Sequence, residues 1–221
     1  MLSFTEENYL KAILQLTIEN VSKIEAGTNA LAAHLCVKPA TATDMLKKLK
    51  KKKLINYEKY GKISLTNEGR KNAVEVLRKH RLWETFLYEK LDFTWDEVHE
   101  VAEQLEHIQS EKLVEKLDKF LGHPEFDPHG DVIPNSKGEL KVLFKKTLSE
   151  VEVGNSCKMV AVKDNSAPFL QYVVKVGLGI NSKIKVLSKQ GYDALMEIEV
   201  NGKKSSVSQK FAENIFIVFN K

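Results

Sequence analysis

Residues 38–65 decide the fold of the N-terminal part of the chain and read KPATATDMLKKLKKKKLINYEKYGKISL. Pro39 can begin a helix, because the first helical residue needs no hydrogen bond from its backbone nitrogen. Apolar residues then recur at helical spacing, and six of the seven residues 47–53 are lysine. Two short apolar segments joined through Tyr60-Gly61 follow, and they are typical of paired strands. The stretch therefore predicts a helix with a cationic outer face followed by a small hairpin.

Two further helices are predicted before this stretch. A capping box of Ser3 and Glu6 begins the first, which runs to about Glu19, and a second, short helix ends at Leu35. Three helices and a hairpin form a winged helix-turn-helix, whose third helix enters the major groove of DNA while lysines neutralise phosphates. A lysine run alone is equally typical of a solvated helix face, so the prediction depends on the whole pattern. The predicted DNA-binding residues are Lys38, Pro39, Ala40, Thr41, Thr43, Asp44, Lys47, Lys48 and Lys51, with the two threonines expected at base edges.

Charge and composition narrow the class of protein. The 221 residues are 43% hydrophobic and 29% charged, which indicates a globular protein. Residues 1–72 hold 13 basic and 7 acidic residues, whereas residues 73–149 hold 11 and 16, together with five of the six histidines. No apolar run approaches the roughly 18 residues of a membrane span, and two cysteines are too few for a disulfide framework. We therefore expect a cytoplasmic protein with no membrane association, in which a polyanion-binding segment precedes one rich in carboxylates and imidazoles.

The acidic middle segment places imidazoles and carboxylates on the same helix faces. His80 and Glu84 lie four residues apart on a helix predicted from about Asn67 to Leu91. A second helix from about Thr94 carries four such residues within about 100° of arc, and a Pro/Gly loop adds two more. Mixed nitrogen and oxygen ligands without a thiolate suit Mn(II) or Fe(II), and Zn(II) is able to substitute. The candidate ligands on the second helix and in the loop are His99, Glu103, Glu106, His107, Asp127 and His129.

Three motifs in this segment resemble those of a known family. They are HRLWE at 80–84, VHEVAEQLEH at 98–107, and DPHG at 127–130 followed by Ile133-Pro134. Their order and spacing resemble the metal-dependent repressors typified by the diphtheria toxin repressor and the manganese transport regulator, over essentially the whole chain. The resemblance implies two metal sites between a DNA-binding and a dimerisation domain. One would use Glu103, Glu106 and His107 with Asn8 of the first helix, and the other would use His80, Glu84 and His99, joined in some members by Asp127 and His129.

The chain departs from the family pattern at three positions. Asn8 stands where members usually have methionine or aspartate, and an amide oxygen is a weaker ligand than a carboxylate. Lys11 stands where manganese-type members can have a glutamate, so the resemblance does not imply their closely spaced pair of metals. Glu103 replaces the cysteine of iron-type members and favours a harder ion. The resemblance therefore implies either Mn(II) or Fe(II).

From Leu148 onward the pattern changes to short alternating strands, expected at 151–153, 158–162, 183–187 and 196–200. Asn201-Gly202 is a strong hairpin turn. This segment predicts a small β-barrel, similar to the SH3-like domain that closes longer members of the family. The predicted fold is multidomain and mainly α: a winged helix-turn-helix at 1–72, a helical metal-binding and dimerisation domain at 73–147, and the barrel at 148–221.

Three functions are compatible with these patterns. The first is a metal-dependent transcriptional regulator, most simply a repressor, in which bound metal organises a homodimer on double-stranded operator DNA, with no small-molecule substrate and no enzyme activity. The second is a metallohydrolase that uses the His/Glu cluster, although the sequence carries no accompanying motif such as HExxH. The third is a metal-independent winged-helix regulator on whose acidic face the histidines are incidental. The combined patterns favour the first.

Overall fold

The computed structural model describes residues 2–18, 26–57, 62–140 and 146–219. The chain divides into two compact units. Unit 1 consists of Met1–Leu82, Glu103–Phe120 and Ile133–Val142, and unit 2 consists of Trp83–Ala102, Leu121–Val132 and Leu143–Lys221. None of the helices in the described ranges is long and apolar enough to cross a bilayer.

Unit 1 contains the predicted winged helix-turn-helix. Its helices α1, α2 and α3 span Phe4–Ile18, Thr28–His34 and Pro39–Lys51. The backbone N–H of Ser3 donates to Glu6 and the Ser3 hydroxyl accepts from the Glu6 N–H, so the predicted capping box is confirmed. Pro39 is the first residue of α3, also as predicted. One face of α3 is buried through Ala42, Leu46 and Leu49, which leaves the opposite face to solvent.

A small antiparallel sheet accompanies these helices in the order β1-β3-β2. Its strands β1, β2 and β3 span Ala26–Gly27, Ile55–Tyr57 and Lys62–Leu65. The two predicted hairpin strands are confirmed as β2 and β3, and β1 is an edge strand that the sequence pattern did not predict. Tyr60-Gly61, predicted to join β2 to β3, lies outside the described residues.

Helices α4, α5 and α6 span Asn67–Lys90, Val98–Leu105 and Glu111–Phe120. The prediction for α4 is confirmed, whereas α5 is shorter than predicted at both ends. At its start, Glu97 accepts hydrogen bonds from the backbone and hydroxyl of Thr94, and these bonds hold a turn instead of a helix. At its end, the N–H of Ile108 bonds to the carbonyl of Leu105, which closes a turn. Glu106 and His107 therefore lie just beyond α5, so the prediction of four ligands along one helix is wrong.

Unit 2 contains a six-stranded antiparallel sheet in the order β4-β9-β5-β6-β7-β8. The register shifts in two of the strand pairs, β5 with β9 and β6 with β7. The sheet packs on a core that includes Met159, Val186 and Ile198. The predicted SH3-like domain is confirmed. Its elements are β4 Lys146–Thr147, β5 Ser156–Val162, α7 Ala167–Val176, β6 Lys183–Gln190, β7 Leu195–Val200, β8 Lys203–Ser208, α8 Gln209–Ala212 and β9 Ile215–Phe219.

Some strand predictions for unit 2 are wrong. Residues 151–153, predicted as a strand, follow a 3-10 turn at Leu148–Glu150 that a capping box closes, and they form a bend and a turn. Strands β8 and β9 were not predicted. The hairpin turn is confirmed, since Asn201 and Gly202 join β7 to β8 with positive φ angles of 52° and 78°.

Candidate metal centres and DNA interface

Unit 1 brings together carboxylates, imidazoles and one lysine, which we call the first cluster: Glu7, Lys11, His80, Glu103, Glu106 and His107. All of them are buried except Glu103, which is half-buried. Glu106 is central to it. Its Oε2 accepts a hydrogen bond from the Lys11 ammonium at 2.7 Å and lies 2.6 Å from Nδ1 of His80. The Lys11 ammonium also donates to Glu103. Helix α1 therefore inserts a cation between two carboxylates of the first cluster.

His107 is held against α1 by a second set of contacts. Its Nδ1 lies 2.6 Å from Oε2 of Glu7, and the other oxygen of Glu7 accepts from Gln109 at 2.8 Å. The ring of Phe4 stacks on the imidazole with centroids 4.5 Å apart. Because Nδ1 of His107 is bound to a carboxylate, its remaining donor nitrogen for a metal is Nε2, which lies 3.8 Å from Oε1 of Glu106.

Unit 2 holds the second cluster, formed by Glu84 on α4, His99 on α5 and the loop residues Asp127 and His129. Single donor atoms of Glu84, Asp127 and His129 lie within 4.8 Å of one another, and all three side chains are buried. Oε1 of Glu84 lies 3.2 Å from Nδ1 of His99, and Oε2 lies 3.6 Å from Nδ1 of His129. Donors at this spacing can share one cation, because metal–ligand bonds of about 2.1 Å put neighbouring ligands roughly 3 to 4 Å apart.

Contacts with the backbone orient the loop residues of the second cluster. Oδ1 of Asp127 accepts from the N–H groups of His129 and Asp131, at 2.8 and 2.9 Å. Nε2 of His129 donates to the carbonyl of Trp95 at 3.0 Å, and Nδ1 faces Glu84. Nδ1 is therefore the nitrogen that would carry the lone pair for a metal once the imidazole loses its proton. The Trp95 ring also stacks on His129 with centroids 5.8 Å apart. Trp95 thus positions a candidate ligand, although no sequence pattern marked it.

Three buried polar atoms in or beside these clusters have no hydrogen-bond partner in the described part of the chain: Oδ1 of Asn8, Oε1 of Glu106 and Nδ1 of His129. Leaving such an atom unpaired costs roughly 1–3 kcal/mol, so a folded protein rarely keeps one without a reason. Carboxylate, amide and imidazole donors are those that Mn(II), Fe(II) and Zn(II) accept. Both cysteines lie elsewhere, Cys36 exposed after α2 and Cys157 in the core of the C-terminal sheet. The donor sets therefore fit a divalent metal ion.

Eight of the nine predicted ligands lie in one of the two clusters, and Asn8 lies beside Glu7 on α1. The first cluster holds His80 together with Glu103, Glu106 and His107, whereas Glu84, His99, Asp127 and His129 form the second. The resemblance grouped His80 with Glu84 and His99, but its contact within unit 1 is with Glu106. The assignment of each residue as a ligand stays a prediction.

The sequence analysis did not predict that Glu7 and Lys11 belong to the first cluster. Their signal was two charges four residues apart on an otherwise apolar helix face, and each side chain is 5% exposed.

The second cluster predicts how the stability of the metal-free protein depends on pH. Burial opposes the charged form of His129, but the Glu84 carboxylate and then Asp127 outweigh it and raise the pKa of His129 from 6.5 to about 9. The charged imidazolium therefore stabilises the folded state fully below about pH 6.5, and this contribution is lost as the pH rises through about 9. Urea denaturation with EDTA should show a decline of up to about 3 kcal/mol across this window.

His129→Gln should remove most of that decline, because the titrating group is gone. His123→Gln is the matched control, since His123 is an exposed loop histidine and its loss should leave the pH dependence unchanged. An identical decline in wild type and His129→Gln would contradict the prediction.

The outer face of α3 is exposed and cationic, as predicted. The predicted DNA-binding residues are exposed apart from Thr43, which is half-buried and donates its hydroxyl hydrogen to the carbonyl of Pro39. The lysines of residues 47–53 are not equivalent. Lys50 donates to the carbonyl of Tyr57 at 2.7 Å, and Lys52 donates to Glu6 at 2.8 Å. The second contact ties the end of α3 to the first turn of α1.

Comparison with known proteins agrees with this architecture. Three family models match consecutive parts of the chain: the iron dependent repressor N-terminal DNA binding domain at residues 1–63, the iron dependent repressor metal binding and dimerisation domain at 66–135, and the FeoA domain at 146–218. The iron-dependent repressor IdeR of Mycobacterium tuberculosis is 33% identical over 130 residues, which are 59% of this chain and 55% of that protein. The chain thus spans about half the length of this relative.

Two other comparisons extend over more of the matched protein. An uncharacterized HTH-type transcriptional regulator of Methanocaldococcus jannaschii is 37% identical over 115 residues, which are 52% of this chain and 90% of that protein. The solved structure of a manganese-dependent transcriptional repressor in complex with manganese superposes with a TM-score of 0.88 at 31% identity, covering 97% of this chain and 100% of that one. With these matching family models and this similarity to a solved repressor over its full length, the chain belongs to the family of iron- and manganese-dependent repressors typified by the diphtheria toxin repressor.

Proposed function

We propose that the protein is a metal-dependent transcriptional repressor that binds Mn(II) or Fe(II), with Zn(II) able to substitute, and then binds operator DNA as a homodimer. The observation that carries the proposal is Glu106. Its side chain is fully buried, contacts Lys11 and His80, and keeps one oxygen without a hydrogen-bond partner among the described residues. A buried carboxylate oxygen in such surroundings is typical of a metal ligand.

Each cluster would hold a cation through donors that the fold already orients. In the first cluster these are Glu103, Glu106 and Nε2 of His107, with Oδ1 of Asn8 nearby in sequence to Glu7, and His80 beside Glu106. In the second they are Glu84, His99, Asp127 and Nδ1 of His129. A bound divalent ion would supply the positive charge that draws these carboxylates and imidazoles together. We propose all nine predicted residues as ligands on this basis.

A continuous set of contacts leads from the first cluster to the DNA-binding helix. His107 bonds to Glu7 in the first turn of α1, and the neighbouring Glu6 bonds to Lys52 at the end of α3. Residues that move toward a metal in the first cluster therefore pull on α1, which in turn contacts α3. This coupling requires the protein to bind metal more tightly when α3 is positioned for DNA than when α3 is positioned otherwise.

The homodimer is part of the same proposal. A winged helix-turn-helix reads one half-site, and a two-fold symmetric protein reads two. The matched dimerisation-domain model covers residues 66–135. Large apolar side chains in that range are exposed, among them Tyr88, Leu91 and Phe120. Burial of such side chains against a second copy of the chain would stabilise a dimer.

The proposal is tested by selecting DNA from a random duplex library with the full chain and Mn(II), then measuring affinity for the selected duplex by fluorescence anisotropy. We expect tight binding with Mn(II) or Fe(II) and at least about 10-fold weaker binding with EDTA, the size of a typical allosteric coupling. Equal affinity in both conditions would overturn the metal-dependent function and would favour the metal-independent regulator.

The lysines of α3 predict the salt dependence of DNA binding. Lys48→Ala removes an exposed charge from the predicted phosphate-contacting face, so one fewer counterion should be released on binding. The slope of log affinity against log salt should flatten by about one, with the sequence preference of the protein unchanged. Lys204→Ala is the control, since Lys204 is exposed on β8 of the C-terminal domain and its loss should leave the slope as it is. A slope unchanged in Lys48→Ala would place that lysine away from DNA.

We propose no enzymatic activity. Metal-dependent hydrolysis needs an open coordination position and a positioned acid or base, and the sequence lacks HExxH. The matched family models describe DNA-binding, metal-binding and dimerisation domains of regulators. Metal-dependent turnover of generic phosphoester or peptide substrates would revive the hydrolase hypothesis.

A further inference from the structure

Helix α1 buries one lysine among the carboxylates of the first cluster. The Lys11 side chain is 5% exposed, on a helix that also buries apolar residues such as Leu10 and Leu14. A buried ammonium is strongly unfavourable unless charged partners surround it. Lys11 has two such partners, Glu103 and Glu106, of which Glu106 is fully buried. The lysine and the two carboxylates therefore form one compact ion group.

This ion group brings a positive charge to carboxylates that the fold buries or half-buries. Glu7, Glu103 and Glu106 bring three carboxylates into a single cluster. Lys11 brings a permanent positive charge to Glu103 and Glu106. It thus performs the electrostatic role that a divalent ion would perform at these carboxylates.

The ammonium of Lys11 and a metal ion need the same oxygen atoms. Oε2 of Glu106 already accepts from Lys11 at 2.7 Å and lies 2.6 Å from His80, and only Oε1 has no partner in the described residues. A divalent ion bound to Glu103 and Glu106 would stand within a few ångströms of the ammonium, and like charges repel strongly at that distance when they are shielded from water. Both cations cannot occupy the carboxylates together.

We propose that Lys11 is a resident counter-ion that competes with the divalent metal for Glu103 and Glu106, and so sets the metal concentration at which the first cluster fills. The inference rests on the proposed metal-binding function. Binding of the metal requires the ammonium to leave both carboxylates. The competition weakens metal binding while it stabilises the metal-free fold, so the repressor stays metal-free until the ion is abundant.

The test compares Mn(II) affinity, by competition with a chromophoric chelator, and the thermal midpoint in EDTA for full-length wild type and Lys11→Met. Methionine keeps the apolar stem and removes the charge. We expect Mn(II) to bind the first cluster at least 10-fold more tightly in Lys11→Met, while the midpoint in EDTA falls. Lys116→Met is the control, because Lys116 is an exposed lysine of α6 in the same unit and lies outside the first cluster; its Mn(II) affinity should equal that of wild type.

If Lys11 had a merely structural role, its replacement would not strengthen Mn(II) binding. Unchanged or weaker Mn(II) binding in Lys11→Met, with wild type binding Mn(II), would overturn this inference and leave the proposed function standing. Absence of Mn(II) binding in wild type would overturn both. Should Lys11→Met fail to fold, the structure of the wild-type protein with Mn(II) decides: we expect Nζ of Lys11 more than 4 Å from both carboxylates, and an ammonium still bonded to both beside a bound ion would refute the competition.

Discussion

Replacing Glu106 with glutamine is expected to weaken Mn(II) binding at the first cluster by about 100-fold or more and to reduce DNA affinity in Mn(II) to its metal-free level. Glutamine has the same shape, but it removes the negative charge and offers a single weaker oxygen. Loss of groups that only orient metal ligands already costs about 10- to 100-fold in affinity, so loss of a central carboxylate should cost at least as much. Chelator competition and fluorescence anisotropy measure the two effects.

Glu115→Gln is the control for this variant, because Glu115 is an exposed carboxylate of α6 in the same unit. It should bind Mn(II) and DNA as wild type does. Full retention of metal-dependent DNA binding by Glu106→Gln would remove the main support for the proposed function, since no other described carboxylate is both fully buried and bonded to Lys11 and His80.

Gly130→Ala should be the most destabilising single-methyl addition in unit 2. Gly130 has a φ of +81°, and a Cβ atom there would lie 1.8 Å from the carbonyl oxygen of Val160. The backbone is held in that place, because the N–H of Val162 bonds to the carbonyl of His129 at 3.2 Å. We expect a loss of at least about 3 kcal/mol in the free energy of unfolding, because both strain and a backbone clash oppose the methyl group. Displacement of the loop should also weaken Mn(II) binding at the second cluster.

Gly177→Ala separates the two causes. Gly177 ends α7 with a φ of +83°, and nothing lies within 4 Å of the position that a Cβ atom would take there. Its replacement should therefore cost only the conformational strain, roughly 1–2 kcal/mol. Urea denaturation with EDTA compares the variants. Equal losses in the free energy of unfolding at the two glycines would mean that β5 moves to accommodate the methyl group of Gly130→Ala. The loop of the second cluster would then be less rigid than its hydrogen bonds indicate.

The winged helix-turn-helix was predictable because its signals are local. The Ser3–Glu6 capping box, Pro39 at the start of α3 and the apolar stripe of α3 each depend on residues a few positions apart. The end of α5 was not predictable in this way. Glu106 and His107 leave the helix and bond to Lys11 and Glu7, which lie nearly a hundred residues earlier. Helical spacing carries no information about such partners.

In the C-terminal domain, too, some strands have a local sequence signal and others do not. β6 and β7 alternate in burial, and that pattern predicts strands. β8 reads KKSSVS and buries one residue, Val207, so its pairing with β7 and not its own composition makes it a strand. β9 reads IFIVF, a short apolar run that suits a buried helix as well as a strand.

The candidate ligands were predictable as a set, because histidine and glutamate at helical spacing and a DPHG loop are visible in the sequence. Their environment was not. Lys11 looked only like a departure from a family pattern, and Trp95 carried no signal, because its role depends on a carbonyl group that accepts from His129. Counter-charges and orienting groups around a site come from distant parts of the chain, so only the tertiary contacts identify them.

The stacking of Trp95 on His129 makes the second cluster accessible to spectroscopy. The chain has two tryptophans, Trp83 and Trp95, so Trp83→Phe leaves a single indole emitter in van der Waals range of a candidate ligand. Emission from that variant would report occupancy at one centre without interference from the other. The two centres could then be titrated separately, and the order in which they fill could be read in real time.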